Sequence, residues 1–280
     1  MAIYKPTDLL ELLKSLNITP NKILSQNFLI DGNIIKKICE TAHVQPGDLI
    51  IEIGPGPGAL TEALLDRGAH VIAIEKDPVL AKALERLQGP EKKLEIFCED
   101  IMGFPIEEIL KERLHGGSKA KVVANLPYHI TTPILANLVI KEPFLSTIVV
   151  MVQEEVARRF VAHPSTSEYS SFTIFLQFYS KPKYAFTVSR NCFMPKPSVE
   201  SAVVTLELHP PALLEGQERF FELTRTAFKH RRKMLRASLR DFYTSEHIME
   251  TLEKIGVNAK ARPENLSLEE WLCFVKALQQ

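Results

Sequence analysis

Ile51-Glu52-Ile53-Gly54-Pro55-Gly56-Pro57-Gly58 carries an apolar strand straight into a glycine loop, and Ala59-Leu60-Thr61-Glu62-Ala63-Leu64-Leu65 behind it reads as a helix. A backbone that must run close to an adenosine-type ligand needs residues without Cβ at that turn. The spacing is G-x-G-x-G, not the G-x-G-x-x-G of dinucleotide sites. The difference points away from NAD and toward S-adenosylmethionine, which has no pyrophosphate to seat at the helix start.

On either side of this turn, strand and helix patterns alternate. Strands are expected at 49–53, 70–75, 94–98, 121–125 and 147–152, and helices at 59–67, 78–88, 106–114, 131–141 and 153–162. Thr7 to Leu16 reads as a leading helix, Asp31 as the cap of a helix over Ile34 to His43, and Asp77-Pro78 as a further helix start. Later strands near 183–189 and 201–208 complete the set. The pattern predicts an α/β fold with a doubly wound, Rossmann-like, mainly parallel sheet. His209-Pro210-Pro211 ends it, so the expected domains are 1–212, which binds the ligand, and 213–280, which is smaller and all-helical.

The composition is that of an ordinary globular protein, 45% hydrophobic and 24% charged. Its longest apolar run, Ile148 to Val152, is far short of the ~20 residues that span a bilayer, so no membrane partner is expected. Cys39, Cys98, Cys192 and Cys273 are scattered without a C-x-x-C pair, as small buried side chains in a reducing cytoplasm would be. No histidine or cysteine spacing suggests a metal site. No oligomerisation stripe is evident, and a monomer is expected. Net charge is zero, but residues 219–280 hold 12 Lys and Arg against 8 Asp and Glu.

In a sheet of this kind the ligand lies beyond the carboxyl ends of the strands, where Gly54, Glu75, Asp100 and Asn125 each close a predicted strand. A carboxylate at Glu75 can accept both ribose hydroxyls of a nucleoside, or be a solvated strand-end charge. Asp100 can accept an adenine amine, or cap the next helix. Asn125-Leu126-Pro127-Tyr128 follows the fourth strand, and N-methylation of adenine accounts for its residue types. The N6 lone pair is delocalised into the ring and is a poor nucleophile. The Asn125 side-chain oxygen and a carbonyl near Leu126 can each accept one N6 hydrogen, aiming the lone pair at the methyl. Pro127 fixes the turn without a competing N–H, and Tyr128 can stack on the extruded base. The bland alternative is a turn with a packed tyrosine. Phe193, in Phe193-Met194-Pro195-Lys196-Pro197, reads equally as the other face of a base sandwich and as a core phenylalanine. Gln26-Asn27-Phe28-Leu29 reads as a packed loop unless it closes over the cofactor's amino-acid end.

Between Glu222 and Asp241 there is no acid, while Arg225, Lys229, Arg231, Arg232, Lys233, Arg236 and Arg240 fall in that window. Lys229, Lys233, Arg236 and Arg240 share one helical face, and Phe228, Leu235, Leu239 and Phe242 another. The expectation is a basic amphipathic helix that fits a phosphate backbone.

Together these segments resemble the rRNA adenine N6,N6-dimethyltransferases of the kasugamycin-sensitivity type. The likeness runs over roughly residues 20–272: Gln26 to Leu29, Glu52 to Gly58, Glu75, Asp100, Asn125 to Tyr128, Gln153 to Arg158, Phe193 to Ser201, Phe228 to Lys233 and Arg262 to Ser267. The resemblance implies a class I methyltransferase sheet. It implies S-adenosylmethionine contacts at Asn27, Leu29, Gly54, Glu75, Asp100 and Asn125, with S-adenosylhomocysteine as product and no metal. Catalytic roles fall on Asn125, Leu126, Pro127, Tyr128 and Phe193, and rRNA contacts on Lys229, Arg231, Arg232, Lys233 and Arg236. It further implies dimethylation of two adjacent adenosines in the 3′-terminal hairpin of 16S rRNA, late in 30S assembly. Ser25 stands where the family usually has glycine, Cys98-Glu99 precedes Asp100 in place of a more usual glycine, and Glu154 replaces a common lysine. None of these removes a group that the chemistry needs. The rival readings are a 23S rRNA methylase of the macrolide-resistance type, an assembly-factor binder without catalysis, and a protein glutamine methyltransferase.

Overall fold

The computed structural model describes residues 3–18, 27–90, 93–211 and 215–279; Ser25 and Gln26 lie outside them. Nine strands are present among the described residues: β1 (Phe28–Leu29), β2 (Leu49–Ile53), β3 (His70–Ile74), β4 (Leu94–Phe97), β5 (Ala120–Asn125), β6 (Leu145–Gln153), β7 (Ser180–Val188), β8 (Phe193–Met194) and β9 (Ser201–Leu208). Seven form one sheet in the order β4-β3-β2-β5-β6-β9-β7. β4, β3, β2, β5 and β6 run parallel, and β9 is antiparallel to β6.

The expected alternation is realised. Each parallel strand is followed by a helix: Ala59–Leu65, Pro78–Leu84, Ile106–Arg113, Thr131–Val139 and Glu154–Phe160. Ile148 to Val152 are all buried, as a strand covered on both faces requires. Asp31 accepts from the backbone N–H of Asn33 and Ile34, and Asp77 from those of Val79 and Leu80, so both aspartates cap the helices they start. Strand order reverses between β2 and β5, which opens a crevice beyond their carboxyl ends.

Contacts divide the chain into two units: Met1–Ala157 with Lys181–His209, and Arg158–Ser180 with Pro210–Gln280. A single cut at 212 therefore does not describe the chain, because 158–180 belongs with the C-terminal residues. The cause is the helix Ser171–Tyr179, for which the sequence shows no period because its SFTIFLQFY run is apolar nearly all round. Its Phe178 packs at 5.3 Å and 4.9 Å, between ring centres, from Phe220 and Phe221. Trp271, Phe274, Leu235 and Leu252 are also fully buried in this second, helical unit. Trp271 Nε1 donates to the Pro263 carbonyl at 3.2 Å, and Tyr169 Oη to that of Leu266 at 3.0 Å, so neither aromatic buries an unmet polar group.

The continuous basic helix does not form. The helix Gln217–Lys229 stops at His230, which leaves helical angles (φ −118°, ψ 44°), and only Leu235–Ser238 is helical after it. Five residues with four cations and no acid repel one another along a helix, and an alternative set of bonds outcompetes it. Arg231 makes that set. Its Nε pairs with Glu264, its Nη1 donates to the Ser167 carbonyl, and its Nη2 to the Thr166 carbonyl at 2.6 Å. The Ser165 N–H adds a bond to the Glu264 carbonyl at 2.7 Å. Arg231 thus fastens the 163–168 loop rather than reaching outward. Arg231→Ala is expected to lower unfolding free energy by about 2 to 4 kcal/mol, since it strands charge-assisted acceptors, and urea denaturation measures this.

Candidate active site

The crevice at the ends of β2, β3 and β5 is a cavity of about 1200 Å³, its open mouth included. Asn27, Leu29, Gly54, Glu75, Asp100, Asn125, Leu126, Pro127 and Tyr128 all line it, so the structure gathers into one place residues nearly 100 positions apart.

The glycine loop is built for close approach. Gly54, Gly56 and Gly58 have φ of +63°, +57° and +89°. A Cβ at Gly56 would lie 3.2 Å from the Phe28 ring, and one at Gly58 would lie 2.7 Å from Leu84 Cδ2. The loop is held from both sides. Arg86 donates through Nη2 to the Pro57 carbonyl at 2.5 Å. Glu75, 7% exposed, accepts the Gly56 N–H on Oε2 and the Asp77 N–H on Oε1, both at 2.9 Å. Burial raises the Glu75 pKa, and the N–H groups of Asp77 and Gly56 oppose the rise. Each oxygen keeps a lone pair, so the carboxylate fixes the loop while remaining able to accept ligand hydroxyls.

Asp100 is differently occupied. Its Oδ2 takes a 2.8 Å bond from Lys76 Nζ and its Oδ1 the Met102 N–H at 3.0 Å, and these hold its pKa below the usual carboxylate range, Lys76 foremost. Lys76, which the sequence reading left out, lines the same cavity.

Asn125 ends β5 with its amide orientation set. Nδ2 donates to the Asn27 carbonyl at 3.3 Å, which leaves Oδ1 as the end able to accept from a ligand. Leu126 N–H is tied to the Met151 carbonyl at 3.1 Å, and Pro127 holds φ −60°, ψ 122°. Tyr128 Oη shares a 2.6 Å hydrogen bond with Ser201 Oγ at the start of β9, which pins the ring; burial raises its pKa.

Phe193 does not join these residues. It is 3% exposed and belongs to the core cluster that contains Phe28 and Leu29, so of its two readings the structure gives the core phenylalanine. Its strand β8 pairs antiparallel with β1, Phe193 opposite Leu29 and Met194 opposite Phe28. The proline-rich loop therefore braces the Asn27–Leu29 segment against the cavity. That pairing, between segments about 165 positions apart, leaves no local trace in the sequence.

Glu52 is a further functional candidate that no motif singles out. It lines the cavity, is 1% exposed, and its Oε2 has no hydrogen-bond partner among the described residues, nor has the adjacent Thr61 Oγ1. Burial pushes its pKa up to about 8, and the neighbouring Glu75 charge adds to the rise. A raised pKa means that the folded state holds this proton more tightly than the unfolded chain. The stability so gained is full below the ordinary carboxylate range and is lost as pH rises through about 8. The signal available beforehand was one acid inside an otherwise apolar strand, Leu49-Ile50-Ile51-Glu52-Ile53.

In the second unit Lys229, Arg232 and Lys233 are exposed, with no ion pair to them among the described residues. Arg236 is half-buried, its Nη1 3.2 Å from Met249 Sδ. Among the described residues no group of His, Cys, Asp and Glu could hold a metal, and no helix is long and apolar enough to cross a membrane.

A family model described as ribosomal RNA adenine dimethylase matches residues 17–280. A protein of Protochlamydia amoebophila called ribosomal RNA small subunit methyltransferase A is 60% identical over 97% of this chain and 96% of its own length. Its namesake in Chlamydia muridarum is 47% identical over 100% and 99%. Among solved structures, a dimethyladenosine transferase from Plasmodium falciparum superimposes with a TM-score of 0.76 at 25% identity, covering 89% of this chain and 96% of that one. The 23S rRNA methyltransferase ErmE gives 0.69 at 28% identity, covering 91% and 100%.

Proposed function

The chain belongs to the ribosomal RNA adenine dimethylase family, and from that membership we propose that it transfers methyl groups from S-adenosylmethionine to N6 of two adjacent adenosines in the 3′-terminal hairpin of 16S rRNA, within the 30S subunit. The single observation that carries the reading is the Asn125 amide at the mouth of the cavity, its Nδ2 committed to Asn27 and its Oδ1 open.

The residues present fit the donor. A Cβ at Gly56 would crowd the Phe28 ring at 3.2 Å, and Gly54 and Gly56 both hold positive φ angles that side chains rarely adopt, so the bare backbone is open to a nucleoside. Glu75 offers lone pairs to ribose hydroxyls, Asp100 to an adenine amine, and the Asn27–Leu29 segment borders the same cavity. When bound, the donor supplies a methyl group on a positively charged sulfur, which needs no activation by the protein.

The protein's part is positioning, which can be worth about 7–11 kcal/mol when orientation is ideal. Asn125 Oδ1 and the Leu126 carbonyl hold the two hydrogens of the acceptor amine, which turns its lone pair out of the ring plane. Tyr128, anchored to Ser201, offers a face on which the extruded base stacks. No general base is required, because the methylated ammonium sheds its proton to water. For the second transfer the first methyl must fit beside Asn125, so the wall there must be small.

Lys229, Arg232 and Lys233 are the free cations best suited to RNA phosphates. The double change Arg232→Gln with Lys233→Gln is expected to weaken RNA binding irrespective of sequence and to lower the slope of log K against log salt by roughly 1.4 to 1.8. Filter binding across a salt series measures it, and Arg231→Lys should leave that slope unchanged. Transfer of labelled methyl groups to unmethylated 30S subunits tests the whole proposal. Label in 16S rRNA is expected; label confined to 23S rRNA, or none, would contradict it.

A further inference from the structure

The donor cavity is rimmed by acids: Glu75, Asp77, Glu99 and Asp100 line it, and among the described residues its one lysine, Lys76, is already paired with Asp100. At its floor lies Glu52, buried, with one carboxylate oxygen unpartnered. A buried carboxyl without a counter-charge is costly when ionised and tolerable when protonated. Among the described residues, the groups facing it supply no cation. Thr61 stands beside it on the helix Ala59–Leu65, Glu75 faces it from the end of β3 with the same charge, and Cys39 lies near on the helix Gly32–Thr41. Arg67, the cation of that neighbourhood, lowers the pKa of Cys39. The group that can reverse the balance is therefore one that enters the cavity, and the donor that fits it carries two positive charges, on the sulfonium and the ammonium, against one carboxylate.

We infer that Glu52 is protonated in the free protein and becomes the buried counterion of the cationic donor, so that each donor bound releases one proton to water. The O–H bond of the Glu52 carboxyl breaks, the proton passes to solvent, and the electron pair stays on the carboxylate. The inference rests on the S-adenosylmethionine reading of the cavity and deepens it. Two consequences follow from linkage. Below the point at which free Glu52 ionises, donor affinity rises with pH, by up to tenfold per unit. The product has lost the sulfonium charge, so it draws the proton out less completely and is held less tightly by this residue, which favours exchange of product for donor after each transfer.

Isothermal titration of S-adenosylmethionine into the full chain at pH 6.5, repeated in buffers of different ionisation enthalpy, counts the protons released. That pH lies below the α-amino titration of the ligand, near 8. We expect close to one proton for the wild type, fewer for S-adenosylhomocysteine, and none for Glu52→Gln, which keeps the shape of the neutral acid. Glu52→Gln should still bind, with affinity that no longer climbs between pH 6 and 7. Donor binding with no proton released by the wild type would overturn the inference while leaving the cavity's assignment intact, and so would unchanged release by Glu52→Gln. Absence of donor binding to the wild type would overturn both. The wild-type count is decisive even if the variant does not fold.

Discussion

Asn125→Ala should reduce methyl transfer by roughly a thousandfold while the donor's dissociation constant rises by less than about tenfold. The first figure follows from removal of a preorganised acceptor that acts on the reacting amine, a class of change worth about 2.7–4 kcal/mol. The second follows from the 3.3 Å bond between Asn125 Nδ2 and the Asn27 carbonyl. Losing it costs on the order of 1 kcal/mol and loosens the Asn27–Leu29 edge of the cavity without emptying it. Single-turnover assays with saturating donor, set beside calorimetric binding, separate the two quantities. Equal falls in both would make Asn125 a binding residue only; undiminished transfer would remove it from the chemistry.

Glu75→Gln is expected to weaken donor binding by about a hundred- to ten-thousandfold, although it changes one atom. Both carboxylate oxygens already accept a backbone N–H, from Gly56 and from Asp77, each at 2.9 Å. An amide must turn its NH2 toward one of those donors. Two buried donors then oppose each other, at about 1–3 kcal/mol, and the charge-assisted bond to the ribose is lost at about 1.5–3 kcal/mol more. The position of the glycine loop depends on the same carboxylate, so the variant should also unfold at lower urea concentration. A Glu75→Gln protein that binds donor like the wild type would show that the ribose is held elsewhere.

Much of this site is legible in the sequence because its determinants are local. A strand, a glycine turn and a helix are contiguous, and the rule that ligands lie beyond the carboxyl ends of parallel strands converts Glu75, Asp100 and Asn125 into neighbours without any long-range knowledge. The sheet is legible for the same reason, its buried strands being short apolar runs between capped helices. What escapes reading is set by contacts distant in the chain. The β1–β8 pairing that buries Phe193 against Leu29 joins segments with no shared pattern. The helix Ser171–Tyr179 lacks a polar face and so a period, yet it draws 158–180 into the C-terminal unit. The run from His230 to Lys233 has helical spacing, but the fork of Arg231 finds Glu264 and two carbonyls of the 163–168 loop, and tertiary bonding outweighs propensity. Glu52 is visible as an acid in an apolar strand, whereas its missing partner is visible only in three dimensions.

The two kinds of cation in the second unit illustrate how the assignments differ in consequence. Arg231 is bonded within its own unit and its loss should appear in stability. Arg232 and Lys233 are exposed and their loss should appear in salt dependence. A shared basic character in the sequence thus resolves into two physical roles.

In the proposed reaction the amine of an extruded adenine is methylated at the end of β5, held by Asn125 and Leu126. Mass spectrometry of nuclease digests from unmethylated 30S subunits, incubated with donor and either the wild-type chain or Asn125→Ala, tests it most directly. N6,N6-dimethyladenosine is expected at two adjacent positions of the 3′-terminal 16S hairpin with the wild type and almost none with the variant. Methylation of another atom or another RNA, or equal yields from both proteins, would contradict it.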